Sequence, residues 1–417
     1  MRILINNIKS LVQVRENSIS RLQGKEMADL PVLEDAFLLL EDGKIADCGH
    51  NGNRPDLSVD KEIDASGRYV LPGFVDSHTH LVFPRSREGE FVDKINGLSY
   101  EEIAAKGGGI LNSARAMNEI SEDELLEASA KRLHDVVALG TVMIEIKSGY
   151  GLSTENELKM LRVANRLKSL LPIDIKTTFL GAHAFPLEYR ENRRGYIDLI
   201  KSEMIPAVAE EKLADYIDVF CERGFFTREE TEEIVECGKE YGLIPKIHAN
   251  QLSLSGGVQA GVATGAISVD HLEIMSDEEI EVLKGSSTMP VCLPGSAFYL
   301  NAEYPPARKM ISEGLGLAIA TDFNPGSAPS GSMAFNLSLA SIKMKLTPAE
   351  AINAATINAA YAVHESDRYG SITKGKEASV LITREIPSID FLPYAFASDQ
   401  IETVILKGEK IIEKASY

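Results

Sequence analysis

The stretch GFVDSHTHLVF, Gly73 to Phe83, puts two histidines, His78 and His80, one residue apart at the end of an apolar run. On a strand, residues two apart point to the same side, so both imidazoles face one point. That geometry suits a metal ion. It also suits two polar rings on the wet face of a strand, and the pair alone leaves both readings open. The rest of the chain has to say which kind of strand this is.

Working outward, short β-branched runs alternate with helical patterns from about residue 71 to residue 330, which predicts parallel strands joined by helices. Eight candidate strands follow one another: YVLPGFVDSHTH (69–80), GTVMIEIKSGYG (140–151), IDIKTTFLGAH (173–183), YIDVFCERGFF (216–226), LIPKIHANQ (243–251), AISVDHLE (266–273), SSTMPVCLPG (286–295) and GLAIATDFNPG (316–326). Helix-start patterns of the capping-box type stand between them at Ser121-x-x-Glu124, Thr154-x-x-Glu157, Thr227-x-x-Glu230 and Ser276-x-x-Glu279. Eight such units predict an α/β fold, a closed (β/α)₈ TIM barrel, over 71–370. An open doubly wound sheet is disfavoured because no G-x-G-x-x-G follows the first strand. Gly107 to Gly109 follow a helical segment and read as a flexible loop or hinge.

The two ends read differently. FLLLEDGKIADCG is a hairpin around Asp42-Gly43, and KGKEASVLITREI with IETVILKGEKII is strand-like around a Gly-containing turn. Neither end can bury a face alone. Residues 1–70 and 371–417 are therefore expected to combine as one small β-sandwich domain.

The 417 residues are 44% hydrophobic and 25% charged, an ordinary globular composition. A net charge of -19 repels nucleic acid and anionic membrane surfaces, so neither is an expected partner. The first residues lack a secretory pattern, and no apolar window approaches the roughly 20 residues of a membrane span. Cys48, Cys221, Cys237 and Cys292 have no paired spacing and read as reduced, mostly buried thiols of a cytoplasmic protein.

In a barrel, chemistry sits at the C-terminal strand ends. Those positions hold His78 and His80, Tyr150, His183, His248, His271 and Asp322, so five of the eight histidines gather where a site would lie. His50, His134 and His364 fall at a turn and on helices and read as surface or capping residues. Three imidazoles and a carboxylate suit one divalent zinc or iron ion with a position open to water, and the expected set is His78, His80, His248 and Asp322. A closed structural site is the alternative, but such sites prefer cysteine.

PGFVDSHTH, KIHANQ, SVDHLE and ATDFNPGS together resemble the amidohydrolase superfamily. That resemblance implies a barrel plus a β-sandwich built from both termini. Within the superfamily, HTHLVFPRSRE, KSGYGL, FLGAHAFP and TDFNPGSAPSGSM resemble members that open an imidazolone ring in histidine degradation. It implies metal ligation by His78, His80, His248 and Asp322, and substrate contacts from Arg87, Tyr150, His183, Asn324, Gly326 and Ser327. FCERGFF offers no lysine to bridge a second metal, so one ion is expected. Related enzymes commonly carry Glu three residues after the strand-five histidine, where this chain has Gln251, which can hydrogen-bond substrate but not shuttle a proton.

The implied reaction is metal-assisted hydrolysis of imidazolone propionate to N-formimidoyl-L-glutamate. Arg87 would grip the carboxylate tail with two parallel hydrogen bonds, while Arg85 falls on the opposite side of the segment and reads as a surface charge. Catalytic roles are expected of Asp322, as proton acceptor and donor, and of His271, as stabiliser of oxygen charge. The resemblance also suggests a homodimer. Two further readings stand: an aminohydrolase or hydrolase acting on another small cyclic amide or nitrogen heterocycle, and a scaffold that keeps the barrel without activity.

Overall fold

The computed structural model describes residues 1–98, 102, 108–396 and 398–414. In chain order its strands are β1 (Arg2–Val12), β2 (Val32–Glu41), β3 (Lys44–His50), β4 (Lys61–Asp64) and β5 (Arg68–Pro72). Then come β6 (Phe74–Asp76), β7 (Thr141–Lys147), β8 (Asp174–Ala182), β9 (Tyr216–Cys221), β10 (Ile244–Ala249), β11 (Ser268–His271), β12 (Met289–Cys292) and β13 (Ala318–Ile319). Finally there are β14 (Val380–Glu385), β15 (Ile401–Leu406) and β16 (Glu409–Glu413). They form two sheets of eight strands each.

The barrel sheet runs β6 to β13 in sequence order with every pairing parallel. All eight expected strands are present, and each is completely buried or nearly so, as parallel strands covered by helices must be. The sheet closes through the segments just beyond its first and last strands. Asp322 N donates to His78 O at 3.0 Å, His80 N to Phe323 O at 2.9 Å, and Thr321 N to the Asp76 carboxylate at 3.0 Å.

The run 69–80, read as one strand, divides at Gly73. β5 belongs to the other sheet and pairs with β1 and β14, whereas β6 begins the barrel. A Cβ at Gly73 would lie 2.1 Å from Val142, so only glycine lets the chain pass from one sheet to the other there.

That other sheet has the order β16-β15-β14-β5-β1-β2-β3, with β4 beside β1, and it joins both ends of the chain. Its own core gathers Ile3, Ile5, Ile8, Leu38, Val380 and Ile405 from the two termini. The Asp42-Gly43 turn has positive φ at both residues (48° and 79°), the conformation of a two-residue hairpin. Lys407-Gly408 repeats it between β15 and β16.

Capping boxes form at Ser121, Thr227, Ser276 and Thr347, each satisfying amides whose exposure would cost about 1 kcal/mol. The expected box at Thr154 does not form. Ser153 caps that helix (Thr154–Leu167) instead, and Glu157 turns away from its start. Gly109 precedes the helix Ile110–Glu119 with φ 76°, while Gly107 lies outside the described residues. The four cysteines are free, Cys221 and Cys292 buried and the other two partly so. Among the described residues no helix is long and apolar enough to cross a membrane.

Candidate active site

The segments just after β6, β8 and β13 and the C-terminal ends of β10 and β11 themselves bring His78, His80, His183, His248, His271 and Asp322 into one buried cluster. Ring centroids lie 4.4 Å apart for His78 and His248, 5.2 Å for His248 and His271, and 5.3 Å for the stacked His80 and His183. The Nε2 atoms of His78 and His80 each stand 3.6 Å from Asp322 Oδ1. His50 sits at the end of β3, and His134 and His364 are exposed, so all three lie outside the cluster.

Ligand atoms converge in two overlapping groups, His78 with His80 and Asp322, and His78 with His248 and His271. His78 belongs to both. Each expected ligand appears in one group or the other, and His271 stands as close to the centre as they do.

The donor chemistry fits a metal ion. His78 Nε2 and His248 Nε2 are buried without a hydrogen-bond partner, while the opposite nitrogens are taken. His78 Nδ1 pairs with Asp270 Oδ2 at 2.6 Å and His248 Nδ1 with Asp218 Oδ2 at 2.8 Å. A carboxylate behind each imidazole, with the far nitrogen free, is the usual support of a metal-binding histidine. Burial and the neighbouring cation Lys147 keep His78 well below its ordinary range, and burial with His183 does the same for His80, so both rings are neutral and able to ligate.

Sequence reading missed these supports. Glu145, Lys147, Asp218, Lys246 and Asp270 are fully buried inside the barrel, beneath the histidines. Lys147 Nζ lies 2.7 Å from Glu145, 2.9 Å from Asp218 and 3.8 Å from Asp270. Burial opposes its charge, but the three carboxylates outweigh burial and hold the ammonium above its ordinary range. The signal was present: Glu145 and Lys147, and Lys246 and His248, are polar pairs at two-residue spacing in apolar strands, and must share the interior face.

Asp322 is pushed up to about 6 by burial, against the pull of His271. His271 goes the other way: burial lowers it, but the charge and the 3.3 Å contact of Glu273 carry it above its ordinary value. Backbone φ is positive at His271 (88°), Asp322 (54°) and Asn250 (56°), so three strand ends adopt the sparsely populated left-handed region as they enter the cluster.

Arg87 is nearly buried, with Nε 3.5 Å from Glu90 and with Nε and Nη1 lacking hydrogen-bond partners. Its guanidinium lies so close to Gly326 that a Cβ there would fall 1.2 Å from Nη2. Arg85 is exposed, as expected. Asn324 makes four bonds within its own turn: it donates to Asp322 O at 2.7 Å and Ser327 Oγ at 2.8 Å, and accepts from Gly326 N and Ser327 N, both at 2.8 Å. Those groups shape the floor under Arg87 and Asp322. Tyr150 is buried, its ring 5.5 Å from those of both His80 and His183. Gln251 is half-buried just past Asn250, and the next two amides bond Glu222, which sequence reading also missed.

Comparison with known proteins agrees with this architecture. The model of the amidohydrolase family matches residues 69–411. An imidazolonepropionase of Flavobacterium johnsoniae is 58% identical over 408 residues, covering 98% of this chain and 99% of that protein. Another, of Thermoanaerobacter pseudethanolicus, is 43% identical over 411 residues, covering 98% of each. Among solved structures, the zinc complex of atrazine chlorohydrolase from Arthrobacter aurescens shares the fold at a TM-score of 0.74 and 15% identity, over 99% of this chain and 95% of that one. An adenosine deaminase of Xanthomonas campestris with bound zinc does so at 0.72 and 16%, over 99% and 93%. With one family model spanning both the barrel and strands of the terminal sheet, the chain belongs to the amidohydrolase family.

Proposed function

We propose that this protein hydrolyses the cyclic amide of imidazolone propionate to N-formimidoyl-L-glutamate, a step of histidine degradation. The observation that carries this is Arg87, a nearly buried guanidinium with two unbonded nitrogens at the mouth of a histidine-carboxylate cluster. A nearly buried guanidinium there, paired with Glu90 at 3.5 Å but with Nε and Nη1 not hydrogen-bonded, can take an anionic group on the substrate, and the propionate tail supplies one. The relatives named imidazolonepropionase support the same substrate.

In this reading His78, His80, His248 and Asp322 hold one divalent ion, zinc or iron, and His271 stays free. The bound ion supplies Lewis acidity to the ring carbonyl and acidity to the attacking water. Asp322 takes the proton released as water attacks and returns it to the ring nitrogen as the C–N bond breaks. His271, whose imidazole Glu273 raises above its ordinary range against burial, faces the negative charge developing on the carbonyl oxygen, where one donor contributes about 3 kcal/mol. Arg87 and Tyr150 hold the tail, His183 the carbonyl or the new carboxylate, and Gln251 a ring nitrogen by hydrogen bonding alone. Asn324, Gly326 and Ser327 act by shaping the turn against Arg87. The resemblance also supports a cytoplasmic homodimer.

The test is the loss of imidazolone ultraviolet absorbance with the product identified by mass. His248→Ala abolishes conversion, and Arg87→Ala raises KM by roughly 100-fold. Folded protein with one equivalent of zinc or iron and no conversion would sink the substrate assignment.

A further inference from the structure

Glu157 is fully buried on the helix Thr154–Leu167, and its carboxylate faces the loop that precedes that helix rather than the helix's own first amides. Oε2 accepts from Gly149 N at 2.9 Å, and Oε1 from Gly151 N at 2.7 Å and Leu152 N at 2.8 Å. A carboxylate buried this deeply is tolerated only because amides surround it. The loop in turn is moulded to it: a Cβ at Gly151 would lie 2.4 Å from Glu157 N, and Gly149 has φ 107°.

Two side chains of the candidate site hang on this arrangement. Tyr150 sits between the amides that Glu157 holds. The carbonyl of Gly149 meets His183 Nδ1 at 2.9 Å, which places the ring proton on Nδ1 and leaves Nε2 as an acceptor. A Cβ at Gly149 would fall 2.8 Å from that same nitrogen, so loop and ring are in direct register. The loop is pinned from the far side as well, with Ser148 N bonded to Thr178 O at 2.9 Å and Ser148 Oγ accepting from Leu180 N at 3.0 Å.

We propose that Glu157 is a positioning residue, whose carboxylate gathers the 149–152 loop so that Tyr150 and His183 meet the substrate in one fixed arrangement, a role resting on their assignment above as substrate contacts. It touches neither substrate nor metal and acts through the Gly149 peptide. A carboxylate that merely filled a polar hole would leave the ring state of His183 and the affinity for substrate alone.

Glu157→Gln keeps an acceptor for Gly151 and Leu152 and turns an NH₂ group toward Gly149 N. KM for imidazolone propionate rises ~10-fold with kcat within ~3-fold, as lost uniform binding requires. The ¹⁵N imidazole signals of His183 move from a single Nδ1-protonated form toward a mixture. Paired with Tyr150→Phe, the substitution is non-additive in KM. Should Glu157→Gln fail to fold, Glu157→Asp, which keeps the charge and withdraws it by one methylene, is read in the same way. Unchanged KM and unmoved His183 signals, or a fall in kcat alone, overturn the proposal. If the wild-type protein does not turn over imidazolone propionate, the substrate reading falls and the His183 signals decide by themselves: moved in the variant they support positioning, unmoved they refute it.

Discussion

His78 Nδ1 stands 2.6 Å from Asp270 Oδ2, and on strand β10, which does not adjoin His78's own strand β6 in the sheet, His248 Nδ1 stands 2.8 Å from Asp218 Oδ2. Two imidazoles from different strand ends are thus held in the same way, each by a buried carboxylate behind it. In Asp270→Asn the geometry survives and the negative charge does not. Metal affinity, measured by competition with a chromophoric chelator, is expected to fall 10–100-fold, with the fold unchanged by circular dichroism.

Lys147 is the cation beneath both carboxylates. Lys147→Met leaves Glu145, Asp218 and Asp270 buried together without it, and unfolding in urea is expected to show a loss of about 3–5 kcal/mol. Adding Glu145→Gln removes one of the stranded charges and should recover part of that loss. A single variant as stable as the wild type would refute the shared-cation arrangement.

Gly326→Ala tests how closely the turn follows Arg87. With its Cβ 1.2 Å from Nη2, the alanine forces the guanidinium out of place. KM for the carboxylate-tailed substrate should rise by roughly 10–100-fold while metal content stays at wild-type level. Equal KM in the two proteins would show that Arg87 does not grip the tail from its observed position.

Lys376, on the terminal sheet side, is largely buried, with Nζ bonded to Tyr369 O at 2.8 Å and to Ser366 O at 2.5 Å. Burial brings it down to about 8. Between about 8 and the ordinary lysine value near 10.4 the unfolded chain binds a proton that the folded chain has released, so this group raises stability with pH in that window. Below it both states are charged and the penalty of burial is fully present. Relative to Lys376→Met, the wild type should gain up to about 3 kcal/mol from pH 8 to 10.5, read from denaturant midpoints. A difference that stays flat with pH would contradict it.

The barrel was readable because its strands are short, nearly unbroken apolar runs bounded by glycine and proline, and because histidine at a strand end is conspicuous. What escaped were residues whose partners lie on other strands. Asp218 and Asp270 look like isolated breaks in apolar runs, and only the parallel register sets Asp270 beside His248. Glu157 was misread for a different reason. Thr154-x-x-Glu157 has the local pattern of a capping box, yet Ser153 takes the cap and three loop amides outbid the helix start for the carboxylate. The break at Gly73 was hidden too, because the side chain it must avoid, Val142, comes from the next strand.

The barrel closes where His78 O meets Asp322 N and His80 N meets Phe323 O, so the join between its first and last segments runs through three of the proposed ligands. An ion held by His78, His80 and Asp322 would therefore rivet the cylinder shut as well as serve the chemistry. During synthesis the ribosome delivers both histidines long before the aspartate, and the ring stays open until β13 docks. If these residues hold the ion, its loading would belong to the end of folding, and its removal should loosen this join before any other part of the barrel.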